Sequence, residues 1–335
     1  MRIPATLRTH NLDWRAAPRR GDAAPRGGPT VDDALILYAS RLLRAGGVIA
    51  LPTETVYGLA ADIANEAATR RVFAIKGRPL AHPLIVHIAD AGDIDRYAVD
   101  APPEARVLAK HFWPGPLTMV LRKSPLVPAY VTGGQDTVAL RVVDQRTTRA
   151  IIRSFGGAVA APSANRFGRV SPTSAAHVRD DLGDDVDFIV DGGPSLVGVE
   201  STIVDLTGRV PAILRAGAIG RAALASVLGR PVVRRRKPGS VRVSGTLASH
   251  YAPRASVVLR DARSADRELA KLLEDGVRAV RLVLPADPAE AARSLYASLR
   301  ELDAAGYDAI VATLPPATEA NAAVRDRLSR AAAPR

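Results

Sequence analysis

The sequence predicts an α/β (α+β) protein in two parts: a twisted mixed-sheet unit, then a small βαβαβα unit with a parallel sheet. Three observations carry this. The chain has 335 residues, more than one hydrophobic core usually organises. As far as residue 229, strand-like runs outnumber helical ones and do not alternate strictly with them, which argues for a mixed sheet. From residue 251 onward, strand and helix patterns alternate one for one, as parallel strands joined by crossover helices require. Between them "RPVVRRRKPGSVRVSGTLASH", residues 230–250, is basic, rich in Gly, Pro and Ser, and lacks apolar periodicity, so it reads as a linker. The expected organisation is a flexible basic tail over 1–30, a main unit over 31–229, the linker, and a second unit over 251–335.

The elements follow in order. "VDDALILYASRLLRAGG" has helical spacing and a Gly stop, and "VIAL" is a strand ended by Pro52. "NEAATRRVFAIKG" is a helix stopped by Gly77, "LIVHI" a strand, and "PPEARVLAKHFW" a helix with prolines at its start. "LTMVLRK" and "DTVALRVV" are strands, "QRTTRAIIRSFGG" a helix, and "AVAAP" a strand. "SPTSAAHVRDDLG" is a helix with Ser171 as N-cap and Pro172 at its first position. "VDFIVD", "STIVDL" and "AILRA" are strands, and "GRAALASVLG" closes the main unit as a helix. The second unit reads strand "SVVLR", helix "ADRELAKLLEDG", strand "VRLVLP", helix "AEAARSLYASLRELDAAG", strand "DAIVATLP" and helix "EANAAVRDRLSRAA".

Composition narrows the function. Apolar residues make 47% and charged residues 24%, a soluble globular balance. No apolar run approaches the roughly 18 residues that would span a bilayer, and no secretory h-region opens the chain. The absence of cysteine excludes disulfides, thiolate zinc sites and Cys nucleophiles, and leaves the cytoplasm as the default compartment. Lys+Arg 46 against Asp+Glu 34 gives a net charge of +12, which favours polyanionic partners such as nucleotides or RNA. No P-loop, GxGxxG or metal-ligand spacing is present, so no protein metal site is expected.

Several short stretches carry chemistry. "AIKGRPLAHPLIVHI", residues 74–88, sets Lys76, Arg78, His82 and His87 around a Gly and a Pro that fix the backbone, an arrangement suited to an anion. In "DTVALRVV" the period of two turns Val138, Leu140 and Val142 one way and Thr137, Ala139 and Arg141 the other. Arg141 is then either a carboxylate or phosphate clamp or an edge-strand side chain in water. "LPTETVYGLAAD" places two threonines and a glutamate just after a buried strand, in a binding turn or an ordinary one. In "APSANRFGRVSPT", Ser163, Asn165 and Ser171 with free backbone N–H groups would make a phosphate nest, although simple capping also accounts for Ser171. "GVESTIVDL", "AILRAG" and "ASHYAP" add Glu200, Ser201, Arg215 and Tyr251.

Together, "PTETVYGLAAD", "KGRP…HPLIVHI", "WPGPLT", "TVALR", "APSANRFGRVSPT", "GVESTIVDL", "LRAGAI" and "HYAP" occur in the order found in the Sua5/YrdC/YwlC family, the threonylcarbamoyl-AMP synthases. The chain resembles the long form of that family, with a YrdC-like catalytic domain and a Sua5 C-terminal domain. The resemblance implies a twisted sheet around a concave basic cavity. It implies the synthesis of L-threonylcarbamoyladenylate from L-threonine, bicarbonate/CO₂ and ATP, with pyrophosphate released. A separate transferase then uses the product to modify an adenosine of tRNA. It further implies Mg²⁺ held mainly by ATP phosphates. By motif, Thr55, His87, Arg141, Ala161 and Ser201 match threonine-binding positions. Arg78, Thr137, Ser163, Ser171, Arg215 and Tyr251 match ATP-binding positions. Lys76, Arg78, Ser163 and Asn165 form the family's KxR…SxN signature, and catalysis is expected of Lys76, Arg78 and Arg141. His82 stands where the family often has Asn at a nucleotide contact, and "SGTLAS" stands where Pro-Gly-Met often precedes HYAP. The linker is expected to close as a lid over the nucleotide, and the second unit to carry no chemistry. The runner-up reading is a double-stranded RNA or tRNA-binding module without catalysis; for the enzyme, weak tRNA contact is expected.

Overall fold

The computed structural model describes residues 31–234, 241–245, 247 and 249–334. The expected basic tail lies outside these residues, as do six consecutive positions of the linker, 235–240.

The main unit is built on one sheet of ten strands. Helix α1 (Val31–Arg44) leads into β1 (Ile49–Leu51) and β2 (Gly58–Asp62), then α2 (Glu66–Lys76) and β3 (Ile85–His87). The short α3 (Ile94–Tyr97) and α4 (Pro103–Phe112) precede β4 (Leu117–Arg122), a further turn α5 (Ala129–Thr132) and β5 (Thr137–Arg141). Then come α6 (Arg146–Phe155), β6 (Val159–Ala160), α7 (Ala175–Leu182), β7 (Phe188–Ile189), β8 (Thr202–Asp205), β9 (Ala212–Arg215), α8 (Arg221–Leu228) and β10 (Val233–Arg234). The spatial order is β10-β9-β8-β4-β5-β3-β6-β2-β1-β7, with parallel and antiparallel neighbours mixed. The second unit holds β11 (Ser256–Arg260), α9 (Ala265–Glu274), β12 (Ala279–Leu282), α10 (Pro288–Ala304), β13 (Ala309–Thr313) and α11 (Ala322–Ala331) around a parallel sheet ordered β11-β13-β12.

Local chemistry explains the helix ends. Asn65 accepts from the Ala68 amide at the start of α2, and Gly77 ends it in the left-handed conformation, φ 64°. The start of α7 differs from the sequence expectation: its N-cap is Ser174, which accepts from the His177 amide. Ser171 instead lies buried three residues earlier and donates to the Glu200 carboxylate. Strand β2 has no counterpart in the sequence reading; its Gly- and Ala-rich sequence has little strand propensity, but antiparallel pairing with β1 and β6 holds it. The linker likewise opens with a strand, β10, paired parallel to β9.

The central strands follow the period of two. Val138, Leu140 and Val142 enter a core shared with Leu108 of α4 and Leu224 of α8, while Ala139 faces the opposite, concave side. Arg141 shares that side and is 4% exposed on an interior strand, so the edge-strand reading is corrected. A second core joins the units: Val56, Val170 and Val199 pack with Leu295, Tyr296, Val324 and Leu328 of the C-terminal part. No helix among the described residues is long and apolar enough to cross a membrane.

Because Leu140 is fully buried in the first core, Leu140→Ala is expected to cost about 2–5 kcal/mol. Urea unfolding followed by far-ultraviolet circular dichroism measures this.

Candidate active site

Strands β3 and β5 run parallel in register, with His87 opposite Arg141. Both side chains therefore leave the same face at the same level. Beside them, β6 ends and the chain turns through Ala161, Pro162 and Ser163, where Ser163 bridges Gly58 at the start of β2. From the other side, the end of β9 brings Arg215. These groups line one cavity together with Thr55, Arg78, Glu200, His250 and Tyr251.

Three guanidiniums converge there, each almost wholly buried. Arg141 forms an ion pair with Glu54 at 2.7 Å, and Glu54 also accepts from the Asp144 amide. Arg215 donates to the Ser201 carbonyl and hydroxyl and to the Ser244 carbonyl. Arg78 donates to the Pro83 carbonyl and the Ser244 hydroxyl; among the described residues no carboxylate pairs with it and its Nε has no partner. Burial lowers Arg78 to about 10, which leaves it cationic at neutral pH, and burial lowers Arg215 as well. Two further lining side chains, His87 and His250, leave Nδ1 buried without a hydrogen bond. Buried polar atoms of this kind are costly unless a ligand or water completes them.

The structure separates the expected site residues. Thr55, Arg78, His87, Arg141, Ala161, Ser163, Arg215 and Tyr251 meet at the cavity. Ser201 sits directly behind it, bonded to Thr118 at 2.7 Å and to Arg215. Thr137 lines a neighbouring pocket with Pro83, Gln135 and Arg242. His82 lies outside the cavity lining, edge-on to Phe167, and burial followed by the nearby Arg78 and Arg242 charges lowers its pKa. Asn165 spends its amide on the Arg166 and Arg169 carbonyls. Lys76 requires correction as a phosphate grip. Its ammonium is buried and donates to the carbonyls of Ser163 (2.5 Å) and Asn165 (2.6 Å), so it braces the 163–165 loop from behind. Burial, aided by Arg78, pushes its pKa well below the usual lysine range.

The described end of the linker lies on this site. Val243 packs with Ile85, Val120 and Ile203, and Ser244 bridges Arg78 and Arg215. Gly245 has φ 77°, and a Cβ there would stand 1.9 Å from the Tyr251 hydroxyl, so only glycine fits. Tyr251 itself holds φ 62°, an uncommon conformation for an aromatic residue.

Glu200 is the group that the sequence left unassigned. It accepts from Ser171 (2.6 Å), from the Tyr296 hydroxyl (2.9 Å) and from Arg327 Nε (2.8 Å). Burial would raise its pKa, but the Arg327 and Arg215 charges and the Ser171 hydrogen bond bring it down to about 2. The second unit therefore does reach the site, against expectation. A signal was present: Val324, Arg327, Leu328 and Ala331 share one helical face, so Arg327 interrupts an apolar stripe.

Comparison with known proteins shows the family. A family model for Sua5, YciO and YrdC proteins, described as "Telomere recombination", matches residues 41–217, and one described as "Threonylcarbamoyl-AMP synthase, C-terminal domain" matches 219–333. The threonylcarbamoyl-AMP synthase of Pyrococcus abyssi is 38% identical over 322 residues, covering 90% of this chain and 95% of its own. The chain belongs to the Sua5/YrdC family of threonylcarbamoyl-AMP synthases. The crystal structure of P. abyssi Sua5 complexed with L-threonine matches at a TM-score of 0.84 and 38% identity, covering 89% of this chain and 94% of that one. Shorter relatives exist: the threonylcarbamoyl-AMP synthase of Halorhodospira halophila is 39% identical over 180 residues, covering 54% of this chain and 93% of its own.

The histidines generate a pH prediction. Burial, with the Arg141 charge, lowers His87 from 6.5 to about 3. For His250, burial also lowers the pKa to about 3; the Glu200 charge opposes this and the Lys76 charge adds to it. The unfolded chain therefore takes up these protons first, and stability present at pH 7 falls as pH drops below 6.5. Between pH 7 and 5 each imidazole is expected to contribute about 2 kcal/mol of that loss. Urea unfolding at both pH values should show a smaller loss, by about that amount, in His87→Gln than in the parent.

Proposed function

We propose that this enzyme makes L-threonylcarbamoyl-AMP from L-threonine, bicarbonate/CO₂ and ATP, releasing pyrophosphate, and supplies it to a separate tRNA-modifying transferase. The observation that carries the reading is the convergence of Arg78, Arg141 and Arg215 on one cavity whose lining also holds three orphaned buried polar atoms. Such a site wants an anion with hydrogen-bonding groups. Arg141, beside Thr55, His87 and Ala161, takes the threonine carboxylate; Arg78, Ser163 and Arg215 take nucleotide phosphates. Thr137 lies along the nucleotide's path, with His82 and Tyr251 at its border.

The chemistry needs positioning and charge neutralisation more than a strong base. The threonine amine adds to CO₂ and loses a proton, giving a carbamate. A carbamate oxygen then attacks the α-phosphorus in line, and the bond to pyrophosphate breaks. Arg78 and Arg215 neutralise charge in a site shielded from water, where each is worth more than at a surface. Both carbamate and mixed anhydride hydrolyse easily, so the cover that Ser244, Gly245, His250 and Tyr251 give the cavity protects them. Mg²⁺ would supply further neutralisation of the phosphates. The donor set fits an ion carried mainly by ATP, since Glu54 and Glu200 are already held by arginines. The setting is cytoplasmic.

An RNA-binding module without catalysis accounts less well for these residues. Arg78, Arg141 and Arg215 are 4–7% exposed and cannot reach a phosphodiester backbone. Weak tRNA contact through the remaining basic surface is compatible with the enzyme reading.

Incubation with ATP, bicarbonate and L-threonine should release pyrophosphate only when threonine is present. Arg141→Ala should lower kcat/KM for threonine about 30- to 1,000-fold, with a smaller effect on ATP binding by calorimetry. Threonine-independent release, or unchanged threonine affinity in the variant, would overturn the assignment.

A further inference from the structure

Arg327 lies on α11, in the second unit, yet every group it touches belongs to or borders the active site or holds Arg327 itself in place. Its Nε donates to Glu200 at 2.8 Å and one terminal nitrogen donates to the Ala216 carbonyl at 3.0 Å. The other terminal nitrogen pairs with Asp326 at 2.7 Å, and the guanidinium carbon stands 5.1 Å from the centre of the Tyr251 ring.

Glu200 and Ala216 immediately flank, in sequence, the two residues that meet behind the cavity. Ser201 follows Glu200, Arg215 precedes Ala216, and Arg215 donates twice to Ser201. One planar fork thus brackets both segments. The bracket works at very short range: a Cβ on Gly217 would lie 2.3 Å from the Thr202 nitrogen, so no side chain separates the two segments. Tyr296 of α10 holds the same carboxylate at 2.9 Å, and its ring stacks on Tyr251 with centroids 5.8 Å apart.

We propose that Arg327 is a positioning residue for the adenylate-forming site, acting through Glu200 and the Ala216 carbonyl to aim the Ser201–Arg215 pair, with Tyr296 as its assistant. The second unit is then a working part of the site in this long form. A guanidinium suits the task because its fork is planar and its charge persists under full burial, whereas a lysine is a single mobile point charge. The inference rests on the proposed activity, so the test begins with it.

The full chain and four variants are assayed for threonine-dependent pyrophosphate release, with rates expressed per folded molecule and folding followed by thermal melting. Tyr296→Phe keeps the ring stack and is expected to lower kcat about 3- to 10-fold, the effect of one lost hydrogen bond. Arg327→Lys is expected to lower kcat about 10- to 100-fold, as small displacements of aligned groups do. The neutral pair Arg327→Met with Glu200→Gln removes the buried charges together. It is expected to melt higher than Arg327→Met alone, yet to keep a kcat as low as that of Arg327→Lys, because the bracket on Ala216 is gone. A purely structural role would instead lower the melting temperature and leave kcat per folded molecule unchanged, and that result overturns the inference. A wild type without threonine-dependent release overturns the functional reading and this inference with it. An active wild type with unaffected variants overturns this one alone.

Discussion

Taking an ionised carboxylate out of water costs several kcal/mol unless ion pairing and hydrogen bonds replace what the water supplied. Glu200 meets that demand with groups from both units: Ser171 from the main unit, and Tyr296 and Arg327 from the second. Withdrawing Arg327 would strip the buried carboxylate of its ion pair, and withdrawing either hydroxyl would leave it a hydrogen bond short. The requirement therefore ties the docking of the second unit to the order of the strand ends that carry Ser201 and Arg215. The apolar seam around Val56, Val170 and Val199 supplies the bulk of the adhesion, but it is non-directional. The polar contacts at Glu200 set the register in which the two surfaces meet.

The cavity illustrates a different balance. Arg141 has Glu54 as counter-charge, and Arg215 lies in the field of Glu200, but Arg78 has only neutral acceptors. The site as a whole stays short of negative charge. Its electrostatics favour an anionic guest, and Thr55 and Ser163 stand in the same lining. Lys76 has an unexpected place here: its ammonium grips two carbonyls and shapes the 163–165 loop, so the cationic lining of the cavity is made of guanidiniums.

Much of this was legible beforehand, for physical reasons that can be named. Long amphipathic helices with clear stops, such as α2 and α10, follow from spacing and caps. The two faces of β5 follow from its period of two, including the side on which Arg141 lies. Strand β2 was hidden because Gly and Ala carry little strand preference, and tertiary pairing overrode it. Ser171 was misplaced because a Ser-Pro pair reads as a helix start, whereas a buried carboxylate 29 residues away claims its hydroxyl. Recognition of family motifs brought Thr55, His87 and Ser163 to one place, but motif order cannot say which member faces the cavity and which braces it from behind, as Lys76 and Ser201 do. Arg327 escaped because arginines on a charged helix are ordinarily solvated, and only its position within the apolar stripe set it apart.

The level pairing of His87 with Arg141 has a consequence for how this scaffold can vary. In adjacent parallel strands, inserting one residue ahead of either position turns its side chain to the opposite face, into the packed core. Inserting two keeps the face but carries the group roughly 7 Å along the strand, beyond the reach of a small amino acid. Length change is thus forbidden within these strands and is confined to the connections between them. Diversification of the molecule must proceed by altering loops and appended segments around an arithmetic that the backbone does not allow to drift.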